Sequence, residues 1–121
     1  MTILVAEDEP IMLTTIALRL KKDGFNVITA KDGKEALDRL NEIKPDLIIT
    51  DMMMPYISGL EVIQQVRKKY EEQIPIIILS SMGQENIVVE AFQAGANDYL
   101  TKPFSPAELT IRAKRLIKLT P

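Results

Sequence analysis

Two kinds of segment alternate five times along this chain of 121 residues, and that alternation constrains the fold more than any other feature. Short apolar segments rich in β-branched residues run from Ile3 to Ala6, Asn26 to Thr29, Leu47 to Thr50, Ile76 to Leu79 and Tyr99 to Thr101. They read as strands, and three of them are too continuously apolar to leave one face in water. Each is followed by a segment whose apolar residues recur at helical spacing, as in Leu13, Ile16, Ala17 and Leu20, or Leu60, Ile63 and Val66, or Leu109, Ala113, Leu116 and Ile117. Each of these is one apolar stripe on an otherwise polar helix. The junctions carry matching chemistry: Ser58 with Glu61 and Ser105 with Glu108 form capping-box patterns, and Asp32 with Glu35 opens the second helix similarly. Pro106 suits a first helical position, while Gly24 and Gly95 are placed to end the first and fourth helices.

Strict strand–helix alternation implies a parallel sheet with right-handed crossovers and helices on both faces. For five strands the expected fold is a flavodoxin-like, doubly wound α/β sheet in the order 2-1-3-4-5, with residues 1–121 forming one domain. A chain of this length buries roughly two-thirds of the surface that it exposes unfolded, enough for one core. In such a sheet, ligands bind outside the carboxyl ends of the strands.

Composition removes several kinds of chemistry. There is no cysteine and no histidine, so disulfides, thiolate metal sites and the commonest general base are all absent. The longest apolar runs, such as Ile76 to Leu79, fall far short of a membrane span. The start, MTILVAEDEP, does not read as a signal peptide, and a cytoplasmic location is expected. A formal net charge of −2 argues against direct binding of nucleic acid, which needs clustered cations. The cations of the last helix, Arg112, Lys114, Arg115 and Lys118, read as a solvated face that complements the helix dipole. The chain closes at Thr120 and Pro121, just past that helix, which suits a stand-alone protein and a piece of a longer one equally.

The residues at the strand ends are far from random. Glu7, Asp8 and Glu9 follow the first strand, Asp51 the third, Ser80 and Ser81 the fourth, and Lys102 the fifth. In the order 2-1-3-4-5 the first and third strands are neighbours, which gathers Glu7, Asp8 and Asp51 into one crevice. Three carboxylates about 5 Å apart repel one another by roughly 3 kcal/mol per pair at an effective dielectric near 20, so either a cation offsets the repulsion or some of them stay protonated. With oxygen ligands alone that cation is a hard one, Mg2+, which retains waters and a phosphate oxygen. Lys102 adds a point charge and Ser80 a hydroxyl donor, leaving Asp51 as a carboxylate nucleophile able to form an aspartyl phosphate. Taken singly, each of these residues is more often a helix cap, a loop anion or a solvated lysine; only their joint placement at four strand ends makes a site.

The segments LVAEDEP, PDLIITDMMMP followed by SGLEVI, PIIILSS, and GANDYLTKPF resemble, in that order and spacing, the receiver domains of two-component response regulators, from about Ile3 to Leu119. The resemblance implies a phosphorylation-activated switch rather than an enzyme in the usual sense. A sensor histidine kinase or a histidine phosphotransfer protein, or a small donor such as acetyl phosphate, would supply the phosphoryl group, and a downstream output domain or protein would respond. Carried over by residue, Asp51 is the phosphoacceptor, Asp8 a direct Mg2+ ligand, and Glu7 the neighbouring acidic group that acts largely through water. Met53 offers a main-chain carbonyl to the metal, Ser80 is the hydroxyl that swings to the phosphoryl group, and Lys102 pairs with it. Tyr99 is the aromatic residue that turns inward with Ser80, and the Lys102–Pro103 bond is expected to be cis.

Read without the resemblance, Tyr99 is a half-buried ring on a strand, and Met52, Met53 and Met54 are packing residues. Glu7 and Ser81 depart from the aspartate and alanine common in the family. Methionines at positions 53 and 82, which cannot donate hydrogen bonds to an attacking water, imply slow self-dephosphorylation. A phosphorylation-dependent homodimer is expected through the fourth helix, fifth strand and fifth helix, using Asp98, Glu108 and Arg112. Alternatives are a Mg2+-dependent phosphohydrolase, opposed by Met53 where an acid is needed, and a flavin carrier, whose phosphate the acidic AEDEP loop would repel. A pure interaction module is opposed by the complete set of Asp8, Asp51, Ser80 and Lys102.

Overall fold

The computed structural model describes residues 1–119, in which five strands and five helices alternate. The strands are β1 (Thr2–Ala6), β2 (Asn26–Ala30), β3 (Leu47–Asp51), β4 (Ile76–Ser80) and β5 (Asp98–Thr101). The helices are α1 (Pro10–Lys22), α2 (Gly33–Glu42), α3 (Gly59–Tyr70), α4 (Glu85–Ala94) and α5 (Pro106–Leu119). All pairings are parallel and the order is β2-β1-β3-β4-β5, as expected from the alternation. Each strand extends one residue past its expected bounds at one end, so that Asp51 and Ser80 are the last residues of β3 and β4 rather than the first of the loops.

The interior strands β3 and β4 are buried at every position, the property that made their sequences continuously apolar. Side chains alternate between two cores. Ile3, Val5, Ile49 and Ile77 pack with Ile16 and Leu20 of α1 and Leu109 of α5. Leu4, Ile48 and Ile78 pack on the other face with Leu40 of α2, Ile63 of α3 and Ala91 of α4. Each fully buried Ile or Leu contributes about 2 kcal/mol, so the sheet is fixed from both sides and its carboxyl edge is a rigid platform. The fourth helix is held least, with Ala91 as its one fully buried residue.

Helix starts follow the sequence signals in part. Asp32 accepts the Glu35 N–H at 2.8 Å, Ser58 the Glu61 N–H at 3.3 Å, and Ser105 the Glu108 N–H at 3.1 Å. The return bond of a capping box is a different matter. Glu35 reaches back to the Lys31 N–H at 3.3 Å, whereas the Glu108 carboxylate turns to Arg112 at 3.2 Å. A guanidinium one turn on is the stronger partner for a carboxylate. Gly24 and Gly95 end α1 and α4 with φ of 97° and 120°, the left-handed region open to glycine.

Candidate functional site

The register brings the strand ends together. Ala6 pairs with Thr50, Asp51 with Leu79, and Ser80 with Thr101, so the residues that follow β1, β3, β4 and β5 rim one crevice. Gly59 lets the loop after β3 close tightly: a Cβ there would lie 2.3 Å from the Asp51 carbonyl oxygen, and its N–H bonds the Met52 carbonyl at 3.0 Å.

Carboxylate oxygens of Glu7, Asp8 and Asp51 all lie within 4.8 Å of one another. Asp51 is buried, Glu7 is fully buried and Asp8 is exposed. Lys102 enters from the loop after β5, its Nζ 2.8 Å from Asp51 Oδ2, 2.7 Å from Glu7 Oε1 and 3.9 Å from Glu9 Oε2. The Asp51 contact is a hydrogen bond, while the Glu7 contact is close but out of line for one. The other Glu7 oxygen accepts the Glu9 N–H at 3.2 Å, and Met53 N–H reaches Asp51 Oδ1 at 3.4 Å.

The electrostatics follow from this crowding. Burial pushes the Glu7 carboxyl up to about 7; the Lys102 ammonium opposes the rise and the neighbouring Asp51 adds to it. Burial by itself would lower the Lys102 pKa, but Asp51 and Glu7 override it and hold that pKa above its ordinary value. One ammonium thus serves two carboxylates, and negative charge remains in excess. An all-oxygen donor set with an excess of negative charge suits a hard divalent cation.

The Lys102–Pro103 bond is cis, as the resemblance implied. Ser80 is buried, and beside it a groove of about 560 Å³ runs between α4 and the strands, lined by Ser80, Val88, Phe92, Tyr99 and Thr101. Tyr99 is 41% exposed and faces outward, its ring edge-to-face with Phe92 at 5.9 Å. Met53 and Met82 are both exposed beside the crevice. On the neighbouring surface Arg112 bonds within the chain to Asp98 at 2.8 Å and Glu108 at 3.2 Å.

Two features had no clear signal in the sequence. Glu7 meets Lys102 directly, at 2.7 Å, a contact that no sequence pattern announced. Gln84, just before α4, accepts the Ser81 N–H at 2.7 Å; a glutamine in a polar loop announces nothing.

A doubly wound sheet with an acid triad, a lysine and a buried serine at its carboxyl edge is the architecture of a signalling receiver module. The chain belongs to the response regulator receiver domain family, whose model matches residues 3–114, and so is a phosphorylation-activated switch of two-component systems. It is 41% identical over 116 residues to the alkaline phosphatase synthesis transcriptional regulatory protein PhoP of Bacillus subtilis (strain 168), covering 96% of this chain and 48% of that protein. It is 42% identical over 118 residues to response regulator RR06 of Streptococcus pneumoniae serotype 2 (strain D39 / NCTC 7466), covering 98% and 54%. The chain therefore spans about half the length of these relatives. The receiver domain of the Francisella response regulator 1452 superposes with a TM-score of 0.90 at 38% identity, covering 99% of this chain and 98% of that one. Among the described residues, no helix is long and apolar enough to cross a membrane.

Proposed function

We propose that Asp51 is the phosphoacceptor and that residues 1–121 act as one receiver unit in the cytoplasm. The observation that carries this reading is the joint approach of the Lys102 ammonium, at 2.8 Å, and the Glu7 and Asp8 carboxylates, within 4.8 Å, on Asp51. With acetyl phosphate as donor, an Asp51 carboxylate oxygen attacks phosphorus. The bond from phosphorus to the acetyl oxygen breaks, and acetate leaves with the electron pair. Lys102 balances the charge on the phosphoryl oxygens, and the Ser80 hydroxyl donates to one of them. Glu7, Asp8, Asp51 and the main-chain carbonyl of Met53 would hold Mg2+, which when bound neutralises charge on the phosphoryl group. In the cell a sensor histidine kinase or a histidine phosphotransfer protein supplies the phosphoryl group. The chain catalyses only its own phosphorylation and dephosphorylation, and is no enzyme toward other substrates.

The output is a changed surface. Movement of Ser80 toward the phosphoryl group leaves space beside Thr101 for the Tyr99 ring, which would then leave Phe92. A downstream output domain or protein reads the face of α4, β5 and α5, without direct binding of nucleic acid by this domain. A phosphorylation-dependent homodimer on the same face would exchange the internal pairs of Arg112 with Asp98 and Glu108 for pairs across a two-fold axis.

Incubation with acetyl phosphate and Mg2+ is expected to add one phosphoryl mass to the chain and none to Asp51→Asn, by intact-mass spectrometry. Equal labelling of the variant would remove Asp51 as nucleophile.

A further inference from the structure

The β3–β4 ladder ends one step short. In this parallel pair the odd-numbered residues of β4 face β3, as in the bond from Met52 N–H to the Leu79 carbonyl at 3.2 Å. Continued by two residues, the same register directs the Ser81 N–H to the Met52 carbonyl. That carbonyl is already taken by the Gly59 N–H at 3.0 Å. The Ser81 amide is thus a donor without its ladder partner, aimed at the carboxyl end of β3, the end that bears Asp51. Gln84 fills the gap: its Oε1 accepts the Ser81 N–H at 2.7 Å. Gln84 is also the residue before α4, and its own carbonyl accepts the Val88 N–H at 3.0 Å.

We propose that Gln84 is a positioning residue whose carboxamide oxygen occupies the Ser81 amide in place of a phosphoryl oxygen, and that phosphorylation of Asp51 takes this amide over and releases Gln84. The proposal rests on the reading of Asp51 as phosphoacceptor. A phosphoryl oxygen on Asp51 is the better acceptor because it is charged, and charge-assisted bonds are roughly twice as strong as neutral ones. The exchange is therefore favourable, but part of the phosphoryl group's binding is spent in displacing Gln84. The displaced side chain is anchored at the start of α4, the helix with a single fully buried residue, so the site is linked to α4 through one side chain independently of Tyr99.

The test is titration of the full chain with beryllofluoride in saturating Mg2+, comparing the parent with Gln84→Met, which keeps the length and loses the acceptor, and Gln84→Asn, which is one carbon too short. Both variants should bind beryllofluoride about three- to tenfold more tightly, the worth of one net hydrogen bond, with affinity for Mg2+ alone unchanged. The Ser81 amide should exchange faster with solvent in the free variants than in the free parent, and equally slowly in all three once beryllofluoride is bound. Equal or weaker beryllofluoride binding by both variants would overturn the proposal, since a side chain that only braces the loop would give that result together with a lower melting temperature. If the parent itself does not bind beryllofluoride, the phosphoacceptor reading fails first and this proposal falls with it.

Discussion

Two cations lie at opposite ends of the sheet, and they are held in opposite ways. Lys102, at the carboxyl edge, sits between the carboxylates of Asp51 and Glu7. Arg67, on α3, works at the amino ends of β4 and β5 and bonds neutral acceptors: the carbonyls of Gly95 at 2.7 Å, Ile74 at 2.7 Å and Glu71 at 2.8 Å, and Asn97 Oδ1 at 2.9 Å. Desolvation pulls the Arg67 pKa below its ordinary value, and the charge of Glu72 only partly offsets it. The rigid fork of a guanidinium fits several carbonyls at once and has no alternative arrangement, so Arg67 fastens the α4–β5 connection. An ammonium between carboxylates can be shared, shifted toward a phosphoryl group or helped by a metal. The molecule places the immovable cation away from its chemistry and the exchangeable one within it.

The largest expected effect comes from removing each cation. Arg67→Met leaves two partly buried carbonyls, of Gly95 and Ile74, without this donor and should lose about 2–4 kcal/mol in urea unfolding, to the same extent at about pH 5 and about pH 8, with or without Mg2+. Lys102→Met should also lose stability near neutral pH, because two buried carboxylates are left unpaired. Its deficit should shrink in acid, where those carboxylates bind protons, and in millimolar Mg2+, which replaces the missing charge. A Lys102→Met deficit indifferent to both pH and Mg2+ would erase the distinction between the two ends.

Next in size is the pH dependence of the metal-free protein. The Glu7 carboxyl titrates near 7 when folded against 4.5 as its ordinary value, so the folded state keeps a proton that the unfolded state has lost. The Glu7 contribution to stability is therefore full below about pH 4.5 and is lost as pH rises through 7, by about 2 kcal/mol between about pH 5 and about pH 7. Glu7→Gln should flatten that slope, and saturating Mg2+ should flatten it in the parent. A parent whose stability rises over this interval would mean that Lys102 compensates Glu7 fully.

Most of the carboxyl end was legible in the sequence and most of the Arg67 end was not. Strand–helix alternation places Glu7, Asp8, Asp51, Ser80 and Lys102 along one edge, because residue order and strand order together fix which loops meet. Arg67 stands in the polar stripe of α3, in a last turn where basic residues are ordinary, and only the path of the chain from Glu71 to Asn97 brings four acceptors around it. The outward Tyr99–Phe92 pair was equally hidden. Phe92 stands at helical spacing from Val88 on α4, but it is 41% exposed and packs on Tyr99. Periodicity tells which face of a helix is apolar, and not how wide the sheet beneath it is. Phe92 meets the outer strand β5 through the half-exposed ring of Tyr99.

The smallest expected effect tests whether the Arg67 end is rigid enough to hold strain. Glu71, the residue after α3, has φ 55° and ψ −127°, a conformation that a Cβ disfavours and glycine tolerates. It is fixed there from both sides: its N–H bonds the Arg67 carbonyl at 2.9 Å and its carbonyl accepts from Arg67 Nη1 at 2.8 Å. Glu71→Gly removes the steric cost and keeps both bonds, since both are made by the main chain of residue 71. It also loosens the unfolded chain by up to about 1 kcal/mol, so the net gain should be only about 0.5–1 kcal/mol. The sharper measurement is a double-mutant cycle. In the Arg67→Met background only the main-chain bond from the Glu71 N–H to the carbonyl of residue 67 still holds residue 71, its carbonyl side is free to relax, and Glu71→Gly should gain nothing or lose the entropic term. An equal gain in both backgrounds would show that the strain belongs to the turn alone and that Arg67 does not impose it.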